Sequence, residues 1–417
     1  MRIPYLVRHI IFTGSAATLV SAISYLVGIF LARSLGPTGR GDLAIVLNSL
    51  NLLYPLTSLG IRQASAFMIA RENLGMRAAR ALQIRILPFS AALTFGAFLA
   101  TIALSARTSL NNDELLAILA IIPLRLFFEF RSGLFLASKR LPEYSALQVV
   151  QPLTEAALLT GAFLIFGASI SVYLYCMAGA FMLASILQSH QLGQDANESQ
   201  NSGQTLTTES VIRIVKLGLT FALPLFIMGI NYSIDIAIMS FLGTDSSKIG
   251  LYSISVSISY LILFFPKFVN LVIFSHSLNN IKKSESNFSL YLFKYSLFIF
   301  IILSIISFIF TRIALLDFIV FIYGQSFSNA YDSLCLLLPG TLAMLFFKIL
   351  NGDLAGRGHP SVATKIFGPM AILNIGLNLW WIPEYHELGA AAATSVSYVL
   401  GAAIYLVMYW RIAIRDQ

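Results

Sequence analysis

Eight ionisable side chains lie within long apolar runs of this sequence: Arg62, Arg125, Glu129, Arg131, Glu155, Asp235, Lys267 and Lys348. Five are cations and three are acids, an excess of two positive charges. A charge at the centre of an apolar helix costs about 3 kcal/mol, so each should face a cavity, a partner or an interface. The chemistry offered by such a set is anion recognition, because Arg and Lys give charge-assisted hydrogen bonds to phosphate and carboxylate oxygens. Lys267 is the foremost candidate: it has no acid within a turn and follows Pro266, whose missing N–H invites a kink. Arg62, Arg125 and Lys348 are the other candidate binding cations. Arg125 and Glu129 are four residues apart, a spacing that equally allows them to pair with each other. Arg62, Arg131 and Lys348 lie close enough to the ends of their runs to snorkel to an interface.

The acids have three open roles. Asp235, with Asn231 one turn before it, and Glu155, in mid-segment, can each neutralise a cavity cation or carry a coupling proton or sodium ion; Glu129 is a further counter-ion candidate. Asn374 and Asn378, four apart, form a polar face, as do Ser15, Thr18 and Tyr25; such faces serve ligand contact or hydrogen bonding between helices. Asp42 is placed to cap a helix N-terminus. Cys176 and Cys335 support neither a disulfide framework nor a metal cluster, and the five histidines have no metal-ligand spacing. No phosphate-binding loop, zinc-protease or nucleophile-elbow motif is present, so an enzyme, a bound cofactor and a resident metal are not expected.

The elements that hold these residues are hydrophobic segments of about twenty residues, the length that spans a bilayer core as a helix. We count twelve: 11–32, 43–63, 86–106, 115–137, 147–167, 170–190, 214–242, 250–275, 290–313, 331–352, 364–383 and 389–411. With 57% hydrophobic and 11% charged residues and a mean hydropathy of +0.80, a water-facing surface of ordinary polarity is excluded. The first run is too long for the core of a secretory signal and reads as a retained helix. The net charge of +8 does not indicate nucleic acid, because the 27 basic residues are sorted by side: seventeen lie on the side assigned to the cytoplasm, five on the opposite side and five at membrane depth. This positive-inside bias predicts an inner-membrane protein with both termini cytoplasmic.

One stretch is clearly polar, Gly193 to Ser210, and reads as a flexible linker. It separates six segments from six, which predicts an all-α membrane protein of two lobes, 1–190 and 213–417, joined by a cytoplasmic linker at 191–212. Phe127 to Pro142 aligns with Phe346 to Pro360 with a one-residue gap, as expected of a parallel repeat about an axis along the membrane normal.

Four stretches are more specific: LARSLGPTGRGDLAI (31–45), GLYSISVSISYL (250–261), YGQSFSNAYDSLCLLLP (323–339) and LNLWWIPEYHELGAAAATSVSYVLG (377–401). In order and spacing they resemble the polysaccharide-flippase branch of the multidrug/oligosaccharidyl-lipid/polysaccharide (MOP) exporter superfamily, and most nearly its Wzx-type O-antigen translocases. The resemblance implies two six-helix lobes that alternate between inward-open and outward-open states. The implied cargo is an undecaprenyl-diphosphate-linked oligosaccharide, whose phosphates would meet the membrane-depth cations and whose sugar hydroxyls would meet faces such as Asn374 and Asn378. It also implies a monomer among membrane lipids, with a polysaccharide polymerase and a chain-length regulator as partners. Two relatives are the competing readings. Drug antiporters of the superfamily typically use an acid on the first helix, and residues 11–32 contain none; lipid II flippases usually have fourteen helices.

Overall fold

Backbone groups inside a bilayer have no water to bond, so a spanning chain satisfies them within helices or within a closed barrel. The computed structural model takes the helical solution. It describes residues 3–72, 74–105, 110–138, 140–194, 208–263, 273, 286–357, 359 and 361–415, and no strand occurs among them. Eight of its helical runs are long and apolar enough to cross a membrane. Two of these, Gly14–Glu72 and Ser361–Ala413, each join two of the twelve expected segments across a kink. The expected segment 115–137 is helical but carries Arg125, Glu129 and Arg131, and the segment 250–275 lies partly outside the described residues.

The chain divides into two compact units. The first comprises Met1–Leu35 and Ser49–Phe226, and the second Gly36–Asn48 and Ile227–Gln417. One boundary therefore falls inside α1 (Ile3–Leu52), at a break where Gly36 adopts φ 67°, and another inside α8 (Thr208–Phe241), two residues after Pro224. Of the expected linker, residues 195–207 lie outside the described residues, while α7 (Ile170–Gln194) and α8 take up its two ends.

The expected segment 43–63 is not one helix, and its part from Ser49 onward belongs to the first unit. Pro55 opens a single turn, α2 (Tyr54–Thr57), and left-handed Leu59 and Gly60 (φ 54° and 57°) redirect the chain into α3 (Ile61–Glu72). A left-handed leucine is strained and is held only by its surroundings. It places Arg62 in the first turn of α3. The organising element is α5 (Asn112–Ala137), which packs on α3, α4 (Met76–Ala103) and α7; α6 (Leu141–Phe166) also packs on α7. A reciprocal Asn111 and Glu114 capping box fixes its start. Buried amides tie its far half to its neighbours. Gln83 Nε2 donates to Ser65 Oγ (3.0 Å) and Phe130 O (2.8 Å), and Gln188 Nε2 to Phe128 O and Ser132 Oγ (3.2 Å each). Between lipid-immersed helices such bonds and close packing replace the hydrophobic drive.

Gly133 is where α5 meets α3 most tightly: a Cβ there would collide with the carbonyl of Arg62. Gly133→Val is therefore expected to destabilise the protein by about 1–3 kcal/mol through overpacking. Gly96→Ala, in open space on α4, is expected to be neutral or stabilising by up to about 1 kcal/mol. Thermal midpoints in one detergent check the pair, and equal midpoints for both variants would contradict the contact.

In the second unit the central helix is α12 (Ala330–Gly356), packed on α9 (Ser246–Ile262), α10 (Ser286–Ile313) and α13 (Ser361–Tyr409). The ring of Phe347 stands edge-on to Phe367 (4.5 Å) and Tyr405 (4.9 Å) in its core. The short α11 (Leu315–Tyr323) connects α10 to α12, and a π-helical turn, Trp410–Arg415, ends the chain's last helix. Asp42 lies six residues past the Gly36 break inside α1, and its Oδ1 accepts from Ser246 Oγ (2.6 Å) at the start of α9.

Candidate functional site

Each unit holds one cluster of the residues singled out by sequence. In the second unit, α8 passes Asp235 into the interior one turn after Asn231. The first arm of α13 presents Asn374 and Asn378 on one face. Its second arm returns after His386, whose left-handed φ of 50° breaks the helix. Gly389 permits that tight return, since a Cβ there would press on the Trp381 carbonyl. The return brings Thr394 back to the level of the two asparagines, and α9 supplies Tyr252.

Asp235 is 5% exposed and sits at the centre of these four segments. Its Oδ1 accepts from Asn378 Nδ2 (2.7 Å); its Oδ2 accepts from Thr394 Oγ1 (2.7 Å) and Tyr252 OH (2.6 Å). Asn378 Nδ2 also donates to Asn374 Oδ1 (3.0 Å), and Asn374 Nδ2 donates to Thr394 Oγ1 (3.3 Å). These short bonds suit an ionised carboxylate. Yet every one of these donors is neutral, and a buried charge without a counter-charge is strongly disfavoured. One further acceptor, Asn378 Oδ1, is buried with no hydrogen-bond partner. A single carboxylate held only by neutral amides and hydroxyls carries a charge of −1 with no counter-charge among its hydrogen-bond partners, which suits a proton or a small monovalent cation.

In the first unit, Arg62 Nη1 pairs with Glu129 Oε1 at 2.9 Å, with both side chains about 30% exposed. Glu129 is thus held across the α3–α5 contact at Gly133, and Arg125 takes a different partner: its guanidinium lies 4.0 Å over the ring of buried Tyr54. The Tyr54 hydroxyl and Arg62 Nε are buried without hydrogen-bond partners. Two guanidiniums against one carboxylate leave a net positive charge beside unsatisfied polar atoms. Arg131 lies 4.8 Å over the ring of Phe127. Glu155 stands apart, accepting from Gln151 Nε2 (2.7 Å) and Tyr173 OH (2.9 Å).

The remaining candidates are dispersed. Lys348, on α12, has its ammonium 5.2 Å from the centroid of the Tyr232 ring. Thr18 turns its hydroxyl onto its own helix at Gly14 O (2.9 Å). Lys267 and Pro266 lie outside the described residues. Tyr252, Thr394 and Tyr54 are the functional candidates that sequence reasoning missed. Tyr252 and Thr394 lie in two of the stretches that carry the family resemblance, 250–261 and 377–401, whereas Tyr54 lies in none of them.

No family model matches the sequence, and no curated relative matches it. Solved structures do match over nearly the whole chain. An inward-closed structure of the lipid II flippase MurJ matches with a TM-score of 0.73 at 15% identity, covering 95% of this chain and 87% of that one. An inward-facing multidrug resistance MATE family transporter of the MOP superfamily matches at 0.69 and 12% identity, covering 93% and 94%. A MOP superfamily transporter from Pyrococcus furiosus matches at 0.65 and 14%, covering 97% and 95%. At such identities the likeness is one of fold. With its eight apolar helical runs, the chain is a multi-pass membrane protein with the fold of MOP superfamily transporters.

Proposed function

We propose that this protein moves an undecaprenyl-diphosphate-linked oligosaccharide, the repeat unit of an O-antigen or related polysaccharide, across the bacterial inner membrane by alternating access. The observation that carries the reading is the arginine cluster of the first unit: Arg62 and Arg125 outnumber Glu129 in a half-exposed site. That polarity suits a diphosphate or an acidic sugar and opposes a cationic drug. The four Wzx-like stretches and the shared transporter fold support it. In this reading both termini are cytoplasmic, the working form is a monomer, and a polymerase with its chain-length regulator takes over the exported unit.

Asp235, with Asn374, Asn378 and Thr394, is the proposed coupling site for a proton or sodium ion. Drug antiport is the second reading, because a buried acid also attracts cationic cargo. The enclosure of Asp235 argues against it: at 5% exposure, with three donors on its oxygens, the site accommodates an ion and not a drug. The test is a clean deletion. Cells should accumulate the lipid-linked unit in the inner leaflet and lose surface polysaccharide while growing normally. Lysis with accumulation of lipid II would point to peptidoglycan precursor export, and intact surface glycan with new drug sensitivity would point to antiport.

A further inference from the structure

Neither cluster uses a cavity of about 640 Å³ in the second unit, formed between α10, α12 and the second arm of α13. Its size falls within the roughly 300–1,000 Å³ typical of small-molecule sites. Phe300, Phe308, Leu338, Leu342 and Val399 give it an apolar wall, and Arg312 lies at one end. On α10 the lining runs from Phe300 to Arg312, about 18 Å at roughly 1.5 Å per residue. The whole 28-residue helix measures about 42 Å on the same scale, more than the roughly 30 Å of a hydrocarbon core. Arg312 lies in the last turn of this over-long helix, a position from which an arginine can snorkel to headgroups, and the rest of the α10 lining lies toward the middle of the helix. Phe308 and Val399 are 64% and 42% exposed, so the groove opens sideways to lipid.

Arg312 forms no ion pair with a carboxylate among the described residues; its guanidinium lies 5.5 Å from the Phe308 ring centroid. Tyr331 OH beside it donates to Thr311 O (3.3 Å). We propose that this groove is a binding site for one bilayer phospholipid of anionic class, with a hydrocarbon chain along α10 and α12 and its phosphate on Arg312. Charge complementarity selects the occupant. A tail gains no hydrophobic energy by leaving other tails, so fit to the groove and the Arg312–phosphate contact must supply the preference. A free anion has no use for the apolar wall beneath the arginine.

The test uses the full-length protein in phosphatidylethanolamine vesicles containing a small fraction of phosphatidylglycerol with a photoactivatable chain. Peptides covering 300–312 and 331–343 should be labelled several-fold above α4, whose Leu93 and Leu99 also face out. Unlabelled phosphatidylglycerol should compete. Arg312→Gln, at an exposed position, should lower labelling several-fold with the protein still monodisperse, and Ala343→Phe, which fills the groove, should do the same. Labelling equal to that of α4, or unchanged in Arg312→Gln, would overturn the site. Competition by undecaprenyl phosphate but not by phosphatidylglycerol would overturn it too, by giving the groove to the cargo's tail.

Discussion

Asp235→Asn is expected to lower export at least tenfold and to remove its dependence on an ion gradient, while the protein remains as stable as the parent. The geometry separates these two effects. Asparagine is isosteric with aspartate and keeps an oxygen for Tyr252 and Thr394. Its amide would then face the Asn378 amide, but the Asn378 side chain can flip to present its one oxygen, which has no hydrogen-bond partner in the parent. What is lost is the charge, and with it the ability to hold a proton or cation. Asp235→Ala differs, because it strands the donors of Tyr252, Thr394 and Asn378, at about 1–3 kcal/mol for each buried group left unpaired. Its thermal midpoint should fall markedly. Export in oriented vesicles, measured with sodium and proton gradients imposed separately, checks the first claim. Gradient-driven export by a well-expressed Asp235→Asn protein would reduce the cluster to interhelical packing.

How far the sequence revealed this arrangement differs between the two units. Apolar length exposed the helices, because a bilayer demands it of any helix that crosses it. The breaks at Gly36 and His386 fall in the gaps left between the apolar runs, at 33–42 and 384–388, but the Leu59–Gly60 turn lies inside the apolar run 43–63, where hydropathy does not distinguish helical from redirected chain. Asp235, Asn374 and Asn378 were separately visible as polar residues in apolar runs. That they share one site depends on the return of α13 at His386, a tertiary event with no local periodicity. The spacing of Arg125 and Glu129 allowed them to pair, but tertiary packing prevailed: the close α3–α5 approach at Gly133 offers Glu129 to Arg62 and leaves Arg125 to the Tyr54 ring.

That rearrangement gives the second large effect. Arg125→Ala should reduce export at least tenfold in well-folded protein, because in the proposed reading its guanidinium is the charge left over for cargo after Arg62 has met Glu129. Arg125→Lys should retain part of the activity: the charge survives, while the planar face on Tyr54 and the two-pronged contact to phosphate do not. Arg62→Ala should be as harmful or worse, since it leaves Glu129 as an unpaired acid beside an anionic cargo. Removing that acid as well, in Arg62→Ala with Glu129→Gln, should recover some export, so the two changes couple by about 0.5–3 kcal/mol. Glu129→Gln alone should be mild. Surface polysaccharide and membrane protein level, measured together, check the series. A neutral Arg125→Ala beside a damaging Glu129→Gln would make this cluster a structural strut, and the anion site would have to be sought elsewhere, first at Lys267.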